Sequence, residues 1–293
     1  GDAAFGSGNL TGGSNTAIGR EASFSNTSGQ HNVALGQSAN YAITTGGSNV
    51  GVGSQALRFN TTAANNTAVG YQAVYTNTTG TSNVGLGAYA LLSNTSASYN
   101  TAVGYQAMLD NTTGQFNVGI GQMALANNTT ANSNTAMGYQ AGNLNTTGAN
   151  NTVIGFQCFE DNTTGAFNVA MGAKALASNT SSSENVAVGY QSLYSMSSTG
   201  DANKSTAVGY KAGYTSTHNV DAFGSQALYS NTTGVLSVAM GREALYSNTT
   251  GSYNTAIGYQ AGFFITTGTK NTVLGRYNGN QGGLDIRTSS NNI

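Results

Sequence analysis

The chain has 293 residues, nine Lys+Arg against ten Asp+Glu, and only 6% charged residues, where an ordinary soluble domain carries roughly 25%. A net charge of −1 without any basic run supplies no cationic footprint for nucleic acid or for an anionic membrane surface, so neither is expected as a partner. Hydrophobic residues at 38% set the chain apart from a disordered segment, and the single cysteine, Cys158, rules out an intrachain disulfide. No apolar stretch reaches the roughly 20 residues that cross a bilayer, and Gly1 to Gly6 show no leader pattern.

Along the chain one motif returns, Asn-(Thr/Val)-Ala-aliphatic-Gly, as in Asn66-Thr67-Ala68-Val69-Gly70. Its final glycine stands first at Gly6, then at Gly19, Gly36, Gly53, Gly70, Gly87, Gly104, Gly121, Gly138, Gly155, Gly172, Gly189, Gly209, Gly224, Gly241, Gly258 and Gly275. The first interval is 13 residues and the next ten are 17. Intervals of 20 and 15 then bracket an irregular stretch between Ser195 and His218, and three more of 17 follow. Residues 1–278 therefore read as one repetitive domain of about seventeen 17-residue coils, and 279–293 as a C-terminal linker leading out of it.

Within a unit each position has a character. A large apolar residue precedes the glycine (Ile18, Leu35, Val52, Val69), with Thr or Val two residues earlier on the same side of a period-2 strand. Ala stands third after the glycine (Ala22, Ala39, Ala56), Leu often fourth (Leu57, Leu91, Leu125), and Asn seventh (Asn77, Asn94, Asn111), where it opens an Asn-Thr-Thr-Gly turn. The reading is strand, glycine bend, short strand, polar turn, with Gly and Asn taking the tight conformations. The Asn, Thr and Gly content opposes helix, and 17 residues are too few for a helical crossover. The expected fold is an all-β parallel solenoid, with Val, Ile and Leu ladders inside and Asn or Thr at the corners.

A second period of 34 residues overlies the first. Gly51, Gly85 and Gly119 replace the strand alanine in alternate coils, and Tyr71, Tyr105 and Tyr139 follow the glycine in the others. Interlocking with a neighbouring chain is one account of it. Stacked Ala, Leu and Tyr positions would leave a long apolar stripe, which three copies around an axis would cover along with the strand edges. The chain itself, as a homotrimer, is thus the expected partner.

The motif resembles the head repeats of trimeric autotransporter adhesins. Its longer form, Asn100-Thr101-Ala102-Val103-Gly104-Tyr105-Gln106-Ala107, is similar to repeats of bacteriophage tail fibres, as is the ending Gly282-Gly283-Leu284-Asp285-Ile286-Arg287. The resemblance implies a left-handed parallel β-roll, homotrimeric, acting as the structural shaft of a virion tail fibre in host-cell attachment. The host receptor would be met through segments outside this chain, which reads as part of a longer protein. The head or stalk of a bacterial surface adhesin is the alternative, and an ice-binding solenoid with stacked threonines a third reading.

No enzyme is expected, and no cofactor, metal or catalytic residue. Gly51-Val52-Gly53-Ser54-Gln55-Ala56 matches a dinucleotide fingerprint, yet the pattern recurs at Gly85 and Gly119 and lacks its helix. His31 and His218 each precede Asn-Val in widely separated coils; only three copies of His31 around an axis would make a ligand ring. Cys158 fills a slot that is Ala elsewhere, and Glu160, Asp161 and Asp110 read as solvated turn charges. Stretches such as Asn111-Thr112-Thr113 fit the N-glycosylation pattern, but a turn role accounts for the asparagine.

Overall fold

The computed structural model describes residues 4–5, 11–196, 204–279 and 286–291. The chain forms two compact units, 1–147 and 148–293. The first carries β1 (Thr16–Ile18), β2 (Val33–Leu35), β3 (Val50–Val52), β4 (Thr67–Val69), β5 (Val84–Leu86), β6 (Thr101–Val103), β7 (Val118–Ile120) and β8 (Thr135–Met137). The second carries β9 (Thr152–Ile154), β10 (Val169–Met171), β11 (Val186–Val188), β12 (Thr206–Val208), β13 (Val220–Phe223), β14 (Ser237–Met240), β15 (Thr255–Ile257) and β16 (Thr272–Leu274).

Each unit is a parallel β-solenoid. In the first, consecutive strands pair in parallel at a 17-residue register, Thr67 against Val84 and Val84 against Thr101. The second keeps sequential parallel pairing through the irregular stretch, Val186 against Thr206 and Thr206 against Asp221. No helix occurs among the described residues. The unit ending at Gly6, and most of 279–293, lie outside the described residues.

The repeat glycine is fixed by contact. At Gly70, φ is +136° and a Cβ would lie 2.6 Å from the carbonyl carbon and oxygen of Gly87, its equivalent one coil on. Backbone stacks on backbone there, in a region of φ that side chains rarely enter. The other left-handed positions correct the sequence reading. They are the second and fourth residues after the glycine and the one before the motif asparagine, as at Gln72, Val74 and Ser82 with φ of 52°, 51° and 57°. The expected second strand is therefore a turn, though its amides still bond coil to coil, Val74 N–H donating to the Ala90 carbonyl at 2.8 Å. The asparagines do not hold these conformations.

The strands also face the opposite way from expectation. Their central Ala or Gly is buried while both flanking residues are half-buried or exposed, the pattern in β4 and β6 alike. The expected internal Val, Ile and Leu ladder is thus on the outside. Room decides it, because the fourth residue after each glycine, such as Leu57, Val74 or Met108, is fully buried and fills the space beneath the next strand. A Cβ on Gly85 would lie 2.6 Å from Val74 Cγ2, and one on Gly119 2.9 Å from Met108 Cγ. Val74 and Met108 precede a strand glycine by eleven residues, whereas Leu57, Leu91 and Leu125 precede Ala68, Ala102 and Ala136 at the same spacing. The 34-residue alternation is met within one chain, without a neighbour.

Two asparagine ladders complete the core. The motif asparagine is buried, and its Oδ1 accepts the backbone N–H of the next one: Asn83 from Asn66, Asn100 from Asn83 and Asn117 from Asn100, at 2.9–3.0 Å. Its Nδ2 donates to the carbonyl of the residue closing the next turn, as Asn100 to Gly114 at 2.8 Å. The turn asparagines, expected at the corners, form the second ladder inside: Asn94 Nδ2 donates to Asn77 Oδ1 at 2.8 Å and Asn111 to Asn94 at 3.0 Å. At 0% exposure Asn111 has no surface to offer a glycan. Stacked amides satisfy one another and the turn carbonyls, so the polar groups are buried without an unpaired cost.

The irregular stretch breaks the first ladder. Ser205, Val220 and Ser237 replace asparagine, and Asn219 is displaced by one residue, its Oδ1 buried without a partner. The serines keep part of the function, Ser237 Oγ accepting the Asn254 N–H at 3.1 Å.

Candidate functional site

Because the coil interior admits mainly small residues, the larger aliphatics stand outward on the strands. In each unit they make a continuous face of two rows. The residue before the glycine is exposed at Val69 and Met137 in the first unit and at Met171, Val208, Phe223, Met240 and Ile257 in the second. The Thr or Val two residues earlier is half-buried beside it. The apolar stripe expected from the sequence is thus differently composed: Ala and Leu of the turn are buried, and strand aliphatics with the aromatic residues after the glycine take their place. Among the latter, Tyr71, Tyr105, Tyr139, Phe156, Tyr190, Tyr210 and Tyr259 are exposed. A face of this kind exceeds the scattered apolar exposure that needs no explanation.

A feature not read from the sequence lies in the second unit. Tyr194, Tyr214, Tyr229, Tyr246 and Phe263 stack as a column, with centroids 5.0–5.3 Å apart and planes within 21° of parallel. Lys211 Nζ sits 5.1 Å from the Tyr214 ring centre. The signal was available, since each ring is the fifth residue after a repeat glycine. Aromatic stacking at this spacing adds about 0.5–1.5 kcal/mol per pair.

The threonines divide into two kinds. Strand threonines, expected to be buried, are half-buried on the outward face, as Thr67 and Thr101 are. Turn threonines stack on the opposite edge, where each hydroxyl donates to the next carbonyl, Thr61 to Thr78 and Thr78 to Thr95 at 3.1 and 3.0 Å.

The remaining candidates fall at separate places. Gly51 to Ala56 form the end of β3 and the glycine bend that follows, with Gly53 at φ +129°. His31 is exposed at a left-handed position, and His218 Nδ1 lies 2.8 Å from Thr217 Oγ1. Glu160 accepts from Gln157 at 3.1 Å, Asp161 is exposed, and Asp110 is half-buried in the first unit. Cys158 is fully buried, its Sγ donating to the Ala170 carbonyl at 3.2 Å, and burial pushes the thiol up to about 12. Among the described residues no group of three or more His, Cys, Asp or Glu is placed to hold a metal.

One irregularity marks the strand face. At β12 to β14 a hollow of about 190 Å³ opens, lined by Lys204, Asn219, Val220, Asp221 and Leu236. Family models, curated proteins and solved structures were compared with the chain, and none matches.

Proposed function

We propose that the chain is a structural solenoid that self-associates through its outward strand face, as the shaft of a trimeric phage tail fibre in host-cell attachment. The observation that carries the reading is the unpartnered row of strand aliphatics, Val69 to Met137 in one unit and Met171 to Ile257 in the other. Burying such a row gains about 25 cal/mol per Å² of apolar area. The mechanism is mechanical: coil-to-coil backbone bonds and buried amide ladders resist extension while the face joins the copies. Three copies, left-handed winding and the phage setting rest on the resemblance of the repeat. A virion-borne, extracellular location follows from the same resemblance.

The bacterial adhesin reading is favoured by the exposed tyrosines beside that face, which would contact host molecules laterally. Neighbouring genes separate the two, tail and baseplate genes in one case and a membrane-anchor barrel in the other.

The test of self-association is the native mass by light scattering. Three chains of 29.6 kDa give 88.8 kDa, the expected result. A stable 29.6 kDa particle would overturn the reading.

A further inference from the structure

A repetitive face creates an alignment problem. Thr or Val followed by an aliphatic recurs on every coil, and the 34-residue alternation makes coils two apart closely alike, as β6 (Thr-Ala-Val) and β8 (Thr-Ala-Met) are. Two copies slid past each other by two coils would meet almost the same surface. Uniform ladders specify register weakly.

The uniformity is broken at three consecutive coils. Glu184 and Lys204 occupy the position before the motif slot leading into β11 and β12, and Asp221 lies within β13. Among the sixteen strands Asp221 is the one charged residue, standing between Thr206 and Val238 in the sheet register. Lys204 Nζ is 3.9 Å from Glu184 Oε2, and both side chains are more than half exposed. Asp221 makes no ion pair among the described residues, though it shares the hollow with Lys204. The face thus carries a minus, plus, minus sequence amid apolar rows.

We propose that Glu184, Lys204 and Asp221 form the rung that sets the axial register between copies of this chain. The proposal rests on the strand face being the self-association surface. Aligned without offset, Lys204 of each copy lies one coil step, roughly 4.8 Å, from Glu184 and Asp221 of its neighbour. Offset by two coils, Glu184 meets Asp221 and Lys204 meets Leu236, so like charges face each other and an ammonium is buried against an alkyl group. A polar position inside an apolar interface is the best-attested device for fixing register.

The test uses cysteine pairs on the full chain with Cys158→Ala. Thr101→Cys and Thr135→Cys sit two coils apart at equivalent outward positions in β6 and β8. Two chains of different tag length, one with each cysteine, are co-expressed and joined with a short bis-maleimide. With the native charges only like-numbered cysteines should join. In the Glu184→Ser, Lys204→Ser, Asp221→Thr variant, which puts at each slot a residue found there in other coils, 101-to-135 products should appear. Reversing all three charges should abolish them again. A neutral variant that still joins only like-numbered cysteines, or a reversed one that keeps the mixed products, overturns the proposal. A monomeric mass for the unsubstituted chain overturns instead the self-association on which it rests.

Discussion

Replacing Asn100 by Ser and by Ala separates the two jobs of a motif asparagine. Asn100 Nδ2 donates to the Gly114 carbonyl at 2.8 Å, and its Oδ1 accepts the Asn117 N–H at 2.9 Å. Gly114 keeps a second donor, Asn111 Nδ2 at 3.0 Å, so losing the first costs no more than one ordinary hydrogen bond, about 0.5–1.5 kcal/mol. The Asn117 amide has no such reserve. Serine retains an acceptor for it, as Ser237 does for Asn254 at 3.1 Å, whereas alanine leaves a buried N–H unsatisfied, at about 1–3 kcal/mol more. Asn100→Ser should therefore cost about 1 kcal/mol and Asn100→Ala about 2–4 kcal/mol. Stacked repeats need not unfold in one step, so the decisive assay is hydrogen exchange at the Asn117 amide beside chemical denaturation. Protection should fall markedly in the alanine variant and little in the serine variant. Equal protection in both would refute the ladder argument.

Two further outcomes follow from the interior. Gly85→Ala should destabilise by about 1–3 kcal/mol through overpacking against Val74, and adding Val74→Leu, which recreates the Leu57 and Ala68 combination, should recover most of the loss; additive losses in a denaturation cycle would contradict the pairing. The Cys158 thiol should resist alkylating reagents in the folded chain at pH 8 and react on unfolding. Its folded value of about 12 lies above the ordinary 9, so its contribution to stability is complete below pH 9 and is lost as pH rises from 9 towards 12. Rapid labelling of native protein would show that the thiol is not enclosed.

The period and the bend were legible because their cause repeats at one spacing: Gly70 touches Gly87, and no other residue fits. Which way the strand faces was not legible. Thr67-Ala68-Val69 alternates, and alternation says that Thr67 and Val69 share a side without saying which side is inside. The answer lay in the fit of Val74 under Gly85, a contact across coils that no local pattern states. Asn77 and Asn111 were misplaced for a related reason. Asparagine belongs to turns by local propensity, and only stacking turns its amide inward to meet another. The outward rows then follow from those two facts, and with them the surface on which function was sought. Tyr194 and the rings above it escaped notice because the column occupies a minority of the coils.

The motif ladder also has a polarity. Each Asn Oδ1 waits for an amide that comes 17 residues later, and each Nδ2 for a carbonyl 14 residues later, as at Asn66 with Asn83 and Gly80. A finished coil therefore offers the incoming one a formed acceptor and a formed donor. Chain synthesis delivers residues in that same order. Winding can keep pace with translation, every new turn laid on a template made moments before, so that little unpaired strand edge is ever left waiting for a distant partner.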